Sequence, residues 1–195
     1  MSTDNTAQSG ELPTREVTVT VNGEEVTREV EPRLKLSDFL RRECGCRGVR
    51  VGCEHGVCGA CTVLMDGEGV KSCLTYAVQA EGREVESVEG LSEDGLHPIQ
   101  ESFHEEHALQ CGFCTSGFVM ATKELLDEDP DPGREDIEHG LADNICRCTG
   151  YQNIYEAVER AADKMDGEGD GDKMDGKGDG DKMDGKGDGE VGEGD

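Results

Sequence analysis

Cys53, Cys58 and Cys61 lie within VGCEHGVCGACTV at the spacing C-x4-C-x2-C, and eleven residues separate Cys61 from Cys73. Three thiolates on one short loop and a fourth from a separate segment form the pattern that holds a [2Fe–2S] cluster. That chemistry accounts for the glycines. A loop wrapped around a compact inorganic core must turn sharply and bring its backbone close. Gly52, Gly56 and Gly59 stand where positive φ or close approach is useful. Backbone N–H groups of such a loop point at sulfur and stabilise the negative charge that reduction adds. The bland alternative is a structural zinc site. Zinc loops favour paired C-x2-C knuckles, which a triplet with a four-residue gap fits poorly.

A second set follows. Cys111 and Cys114 are spaced C-x2-C, and after 31 intervening residues Cys146 and Cys148 form C-x-C. Taken alone, this set suits zinc held between helices about as well as a cluster, although C-x-C is uncommon in zinc knuckles. Cys44 and Cys46, in RRECGCRG, belong to neither group and read as small buried packing residues rather than extra ligands or a redox switch. The histidines offer less. His55 sits inside the first cysteine loop, where four thiols already satisfy a site, and reads as a solvated loop residue. His104 and His107 read as surface or interface positions, and His97 and His139 complete the five. Carboxylates are so abundant that no pair stands out as a general acid and base. There is neither a P-loop nor a G-x-G-x-x-G dinucleotide fingerprint set between a strand and a helix. No substrate-converting chemistry is expected of this chain.

Charge narrows the partners. The formal net charge is −26, of which residues 164–195 carry −7 and the first 163 residues −19. The folded part is therefore acidic in its own right. That argues strongly against binding to nucleic acid or anionic membranes, which demand basic patches. The opening MSTDNTAQSG has neither a basic nor an apolar leader region, and no apolar run reaches membrane-spanning length. The expected compartment is the reducing cytoplasm, where ten cysteines serve as metal ligands more readily than as disulfides.

The elements that must position these thiols fall into two kinds. REVTVTVNGEEVTREV alternates valine with polar residues on both sides of Asn22-Gly23, which predicts a hairpin. LKLSDFLRREC predicts a helix of about two turns, with Ser37 as N-cap and Leu36, Leu40 and Cys44 four apart. Short strands with turns at Asp66-Gly67 and Glu81-Gly82 follow the cysteine loop. From about residue 92 the periodicity becomes helical. Pro98 suits a first helical position, and Ile99, Phe103 and His107 share a face. Phe118, Thr122, Leu125 and Leu126 mark a second helix, broken by DPDPG. Ile137, Leu141 and Ile145 mark a third, and Ile154, Val158 and Ala161 a fourth. The expectation is an α+β chain: a disordered N-terminus over 1–13, a strand-rich domain over 14–92, a helical domain over 93–163, and a tail over 164–195. That tail repeats KMDGEGDGD with a period of nine. It fails the EF-hand template, because Lys177 stands where the bidentate glutamate belongs, and it lacks the apolar residue of a calcium β-roll. Disorder is the expected state.

GCEHGVCGACTV with Cys73, QCGFCTSGFVM and NICRCTGYQNI together resemble the two-cluster iron–sulfur subunit of the molybdenum hydroxylases, the family of xanthine dehydrogenase, aldehyde oxidoreductase and aerobic carbon monoxide dehydrogenase. The resemblance runs from about residue 15 to about 163 and includes all eight ligand positions in order. It implies a β-grasp, plant-ferredoxin-like domain whose [2Fe–2S] cluster uses Cys53, Cys58, Cys61 and Cys73. It implies a four-helix domain whose cluster uses Cys111, Cys114, Cys146 and Cys148. Gln110, just before Cys111, is implied as a contact to the pterin of a molybdenum cofactor. Electrons would pass from molybdenum through the two clusters to FAD. The molybdopterin and the flavin would sit on separate large and medium subunits, in a heterotrimer or its dimer. Cys44, Cys46 and the repeat tail depart from the family pattern.

Overall fold

The computed structural model describes residues 12–92 and 95–167. The expectations of disorder for the first eleven residues and for the repeat tail beyond Gly167 lie outside the described residues.

The chain opens with the hairpin the sequence predicts. β1 (Arg15–Val21) pairs antiparallel with β2 (Glu24–Val30), Val21 opposite Glu24. Alternation sorts the residues: Val17, Val19 and Val21 point inward and are at most 5% exposed. The two-residue turn needs positive φ at both positions, and Asn22 (φ 50) and Gly23 (φ 80) supply it. Asn22 also ties the turn to Ser87, on a neighbouring segment of the chain. Its Oδ1 accepts from the Ser87 N–H at 2.8 Å and its Nδ2 donates to Ser87 Oγ at 3.0 Å. Asn22→Ala loses both bonds and adds strain at φ 50, so a destabilisation of about 2–3 kcal/mol is expected on urea unfolding. Asn22→Gly, which tolerates that φ, should be measurably less damaging.

β3 (Thr62–Met65) and β4 (Glu68–Lys71) form a second hairpin across Asp66 (φ 55) and Gly67 (φ 87). β5 (Glu84–Glu86) lies parallel to β1 and antiparallel to β3, giving one mixed sheet of order β2-β1-β5-β3-β4. α1 (Leu36–Arg42) supplies Leu36, Phe39 and Leu40, none of them solvent-exposed, to the core that holds Val17, Val19, Val63 and Val85. Ser37 does not cap this helix. It lies inside α1, with its hydroxyl buried and unpartnered. The helix start is held instead by tertiary bonds: Leu36 N–H donates to Thr75 O and Ser37 N–H to Ser72 O.

The second half packs four helices, α2 (Pro98–Glu105), α3 (Thr115–Glu128), α4 (Arg134–Gly140) and α5 (Gln152–Gly167). Ile99, Phe103, Phe118, Leu126, Ile137, Ile154 and Val158 fill its core. Pro98 takes the first helical position behind His97, whose ring accepts from Ile99 N–H. Three helix limits differ from expectation. α2 stops at Glu105, and His107 turns away at φ 51, off the Ile99–Phe103 face. α4 ends at Gly140, leaving Ile145 45% exposed in the following loop. α5 runs to Gly167 because Met165 packs on the helical core. Among the described residues no helix is long and apolar enough to cross a membrane.

The halves meet along α3. Gly117 lies so close to the Gly59–Ala60 backbone that a Cβ would stand 2.2 Å from Gly59 O. Glu124 Oε1 accepts from Gly69 N–H at 2.6 Å, anchoring the helix to the β3–β4 hairpin.

Candidate metal centres

The loop between α1 and β3 carries Cys53, Cys58 and Cys61. Cys73 follows β4. Positive φ at Glu54, Gly56 and Gly59 (58, 79 and 71°) curls this loop upon itself. Gly52 has ordinary φ, and its role is room: a Cβ there would lie 3.1 Å from the Phe113 ring and 3.3 Å from Cys58 Sγ. Gly56 is under pressure on both counts, since its Cβ would fall 2.3 Å from the Leu74 side chain.

The curl aims backbone donors at sulfur. Cys58 N–H points to Cys53 Sγ at 3.5 Å. The amides of His55 first, then Cys58, pull the Cys53 thiol down to about 6. Burial pushes Cys73 the other way, up to about 11, helped by its bond with Cys61. By burial the four thiols stand as two pairs. Cys53 and Cys58 form a half-buried outer pair, and Cys61 and Cys73, 2% and 1% exposed, form an inner one.

The helical half repeats this plan. Cys114 sits at the N-terminus of α3, and Cys111 precedes it across Gly112 (φ 76). Cys146 and Cys148 lie on the loop between α4 and α5. Cys114 pairs with Cys146 on the inside, and Cys111 pairs with Cys148 at the exposed surface. Burial, then the bond with Cys146, pushes Cys114 up to about 12. For Cys146 burial acts upward too, but the Thr149 hydroxyl (3.1 Å) and the amides of Cys148 and Thr149 (both 3.4 Å) outweigh it, and the net shift is downward. Tyr151 holds the loop in place. Its hydroxyl accepts from Cys146 N–H, and its ring meets Phe118 edge-on and stacks on Tyr155.

Among the described residues no three His, Cys, Asp or Glu side chains are set to grip a single ion. Thiols arranged two by two suit a core of two irons, each needing two protein sulfurs. The N–H groups already aimed at Cys53 and Cys146 suit thiolates rather than neutral thiols. The donor sets fit two [2Fe–2S] clusters. A hydrogen bond joins them: Ile145 N–H, one residue before Cys146, donates to the carbonyl of Cys58 at 3.0 Å.

The remaining expected residues fall into place around these sets. Gln110 is exposed beside Cys111. His55 is exposed, its Nδ1 2.5 Å from Cys53 O. Cys46 is buried in the sheet's core, Cys44 packs against it, and burial pushes both thiols up, Cys44 to about 11. Sequence reasoning missed Thr149, Tyr151 and Ile145. For Thr149 a signal existed, since a hydroxyl three residues after Cys146 can reach back to its sulfur.

Comparison with known proteins agrees with this geometry. A family described as "2Fe-2S iron-sulfur cluster binding domain" matches residues 19–92, and one described as "[2Fe-2S] binding domain" matches residues 87–159. The nicotine 6-hydroxylase small subunit of Paenarthrobacter nicotinovorans is 54% identical over 143 residues, covering 73% of this chain and 87% of its own. The crystal structure of quinoline 2-oxidoreductase from Pseudomonas putida 86 superposes with a TM-score of 0.75 at 46% identity, covering 77% of this chain and 94% of that one. Aldehyde oxidoreductase from Desulfovibrio gigas gives 0.75 at 41%, covering 79% of this chain but only 17% of its own.

Proposed function

We propose, from the premise that this chain belongs to the family of small iron–sulfur subunits of molybdenum hydroxylases, that it is the electron-transfer subunit relaying electrons from a molybdopterin centre on a large subunit to FAD on a medium subunit. Cys53, Cys58, Cys61 and Cys73 hold one [2Fe–2S] cluster, and Cys111, Cys114, Cys146 and Cys148 hold the other. Each cluster, when bound, accepts and releases one electron. The chain's residues do the rest. Inner thiols exclude water, aimed amides balance the charge on sulfur, and the bond from Ile145 to Cys58 runs between the two ligand loops. In this reading residues 14–92 form a β-grasp, ferredoxin-like domain, and residues 93–163 form a helical one. Gln110 contacts the pterin, and Gly52, Gly56 and Gly59 shape the first cluster loop.

The observation that carries this reading is the two-by-two arrangement of the thiols at both sites. A free-standing, diffusing carrier is the rival. Exposed Leu109, Phe113 and Ile145, on the loops bearing the second thiol set, favour a docked subunit instead. The purified full chain is expected to be coloured and to carry about four irons. It is expected to co-purify with a molybdenum-containing partner. Zinc without colour would sink the cluster reading. An iron-loaded chain that never associates with a molybdenum subunit would sink the subunit reading alone.

A further inference from the structure

Asn144 lies where the two ligand loops touch, two residues before Cys146. It is 3% exposed. Its Nδ2 donates to the carbonyl of Gly59, between Cys58 and Cys61, at 3.4 Å. Its Oδ1 is buried with no hydrogen-bond donor. An orphaned buried acceptor is costly and calls for a cause. The cause is on the other side of the contact. A Cβ on Gly59 would lie 2.4 Å from Asn144 Oδ1 and 2.6 Å from Asp143 O. One of the two hydrogens of glycine points along that direction, so the Gly59 Cα–H faces Asn144 Oδ1, a weak C–H···O contact. One amide group thus engages both the carbonyl and the Cα–H of a single residue. Only glycine permits the approach, and φ 71 at this position favours glycine again.

We propose that Asn144 is the positioning residue that fixes the spacing between the two thiol sets. The main-chain bond from Ile145 to Cys58 is one hydrogen-bonded point of attachment between these loops, and Gly117 and Phe113 also approach the first loop, at Gly59 and Gly52. The Asn144–Gly59 contact is a second point, one residue along on each strand of the junction. Asn144 itself is held, its N–H donating to Leu141 O at the end of α4. The seam therefore transmits the position of the helical core directly to the first cysteine loop.

This inference rests on the reading that both sets hold clusters, and the experiment separates the two. Each reduced cluster carries an unpaired spin, and the magnetic splitting between two spins falls with the cube of their separation. Asn144→Ala in the full, iron-loaded chain should retain about four irons and both absorption signatures. The splitting in the fully reduced protein should shrink or spread into a distribution. Exchange of the Ile145 amide should speed by about tenfold, the factor that loosening one hydrogen bond brings. Unchanged splitting and exchange with iron retained would overturn the proposal. Loss of iron in Asn144→Ala and also in the milder Asn144→Ser would make Asn144 an assembly element and overturn it as well. An unmutated chain without iron would instead defeat the ligand assignment beneath it.

Discussion

Cys111→Ser is expected to halve the iron content of the chain, from about four to about two per molecule, and to erase one of two reduced-cluster signals. Cys111 pairs with Cys148 at the exposed edge of the helical site. Serine keeps the volume but offers a hard, protonated oxygen where soft iron–sulfur chemistry wants a thiolate. The inner pair, Cys114 and Cys146, cannot then close a four-sulfur set. The other site shares none of these thiols and should keep its signal. Cys148→Ser should give the same spectrum, and Cys73→Ser the complementary one. Iron analysis with low-temperature paramagnetic resonance of the dithionite-reduced protein reads the outcome. Survival of both signals in Cys111→Ser would refute the ligand assignment.

The largest effect away from sulfur is expected at Gly117. A Cβ there meets Gly59 O at 2.2 Å, and Ala60 Cα and Gly59 C at 2.9 Å each. All three are backbone atoms, so no rotamer change relieves the clash, and α3 must lift from the first cysteine loop. Gly117→Ala should cost about 1–3 kcal/mol on denaturant unfolding, the range of overpacked cores. The gain in helix propensity, about 1 kcal/mol, offsets only part of it. Gly140→Ala is the contrasting case. Its Cβ meets only the tip of the Leu125 side chain, at 3.1 Å. That tip can yield, so the same propensity gain should leave Gly140→Ala near neutral. Equal destabilisation of both variants would remove the special role of the Gly117 contact.

What the sequence discloses here is what depends on near neighbours. C-x4-C-x2-C records how far a curled loop can carry its sulfurs. Asn22-Gly23 and Asp66-Gly67 record φ values that few other residues accept. The helix limits are less legible, because distant groups decide them. Ser37 looks like a cap, yet carbonyls of Ser72 and Thr75 satisfy the start of α1. Ile145 continues an apolar period, yet its amide is drawn out of the helix to Cys58. Nor does any local pattern foretell that Gly59 serves Gly117 on one face and Asn144 on another. Such contacts join residues 58 and 85 positions apart, and only the assembled fold brings them together.

The burial of the inner thiols bears on how the protein is made. Cys61 and Cys73 are buried in the core of the sheet, and Cys146, 8% exposed, in the helical core. No donor molecule could reach them through the finished fold. Under the proposed ligand assignment, iron is expected to arrive while the cysteine loops are still open, and the closing chain to lock it in. Maturation and folding would in that sense be a single event. A newly synthesised chain denied its metal would remain unfinished, offering its loops to proteases until loading lets it close.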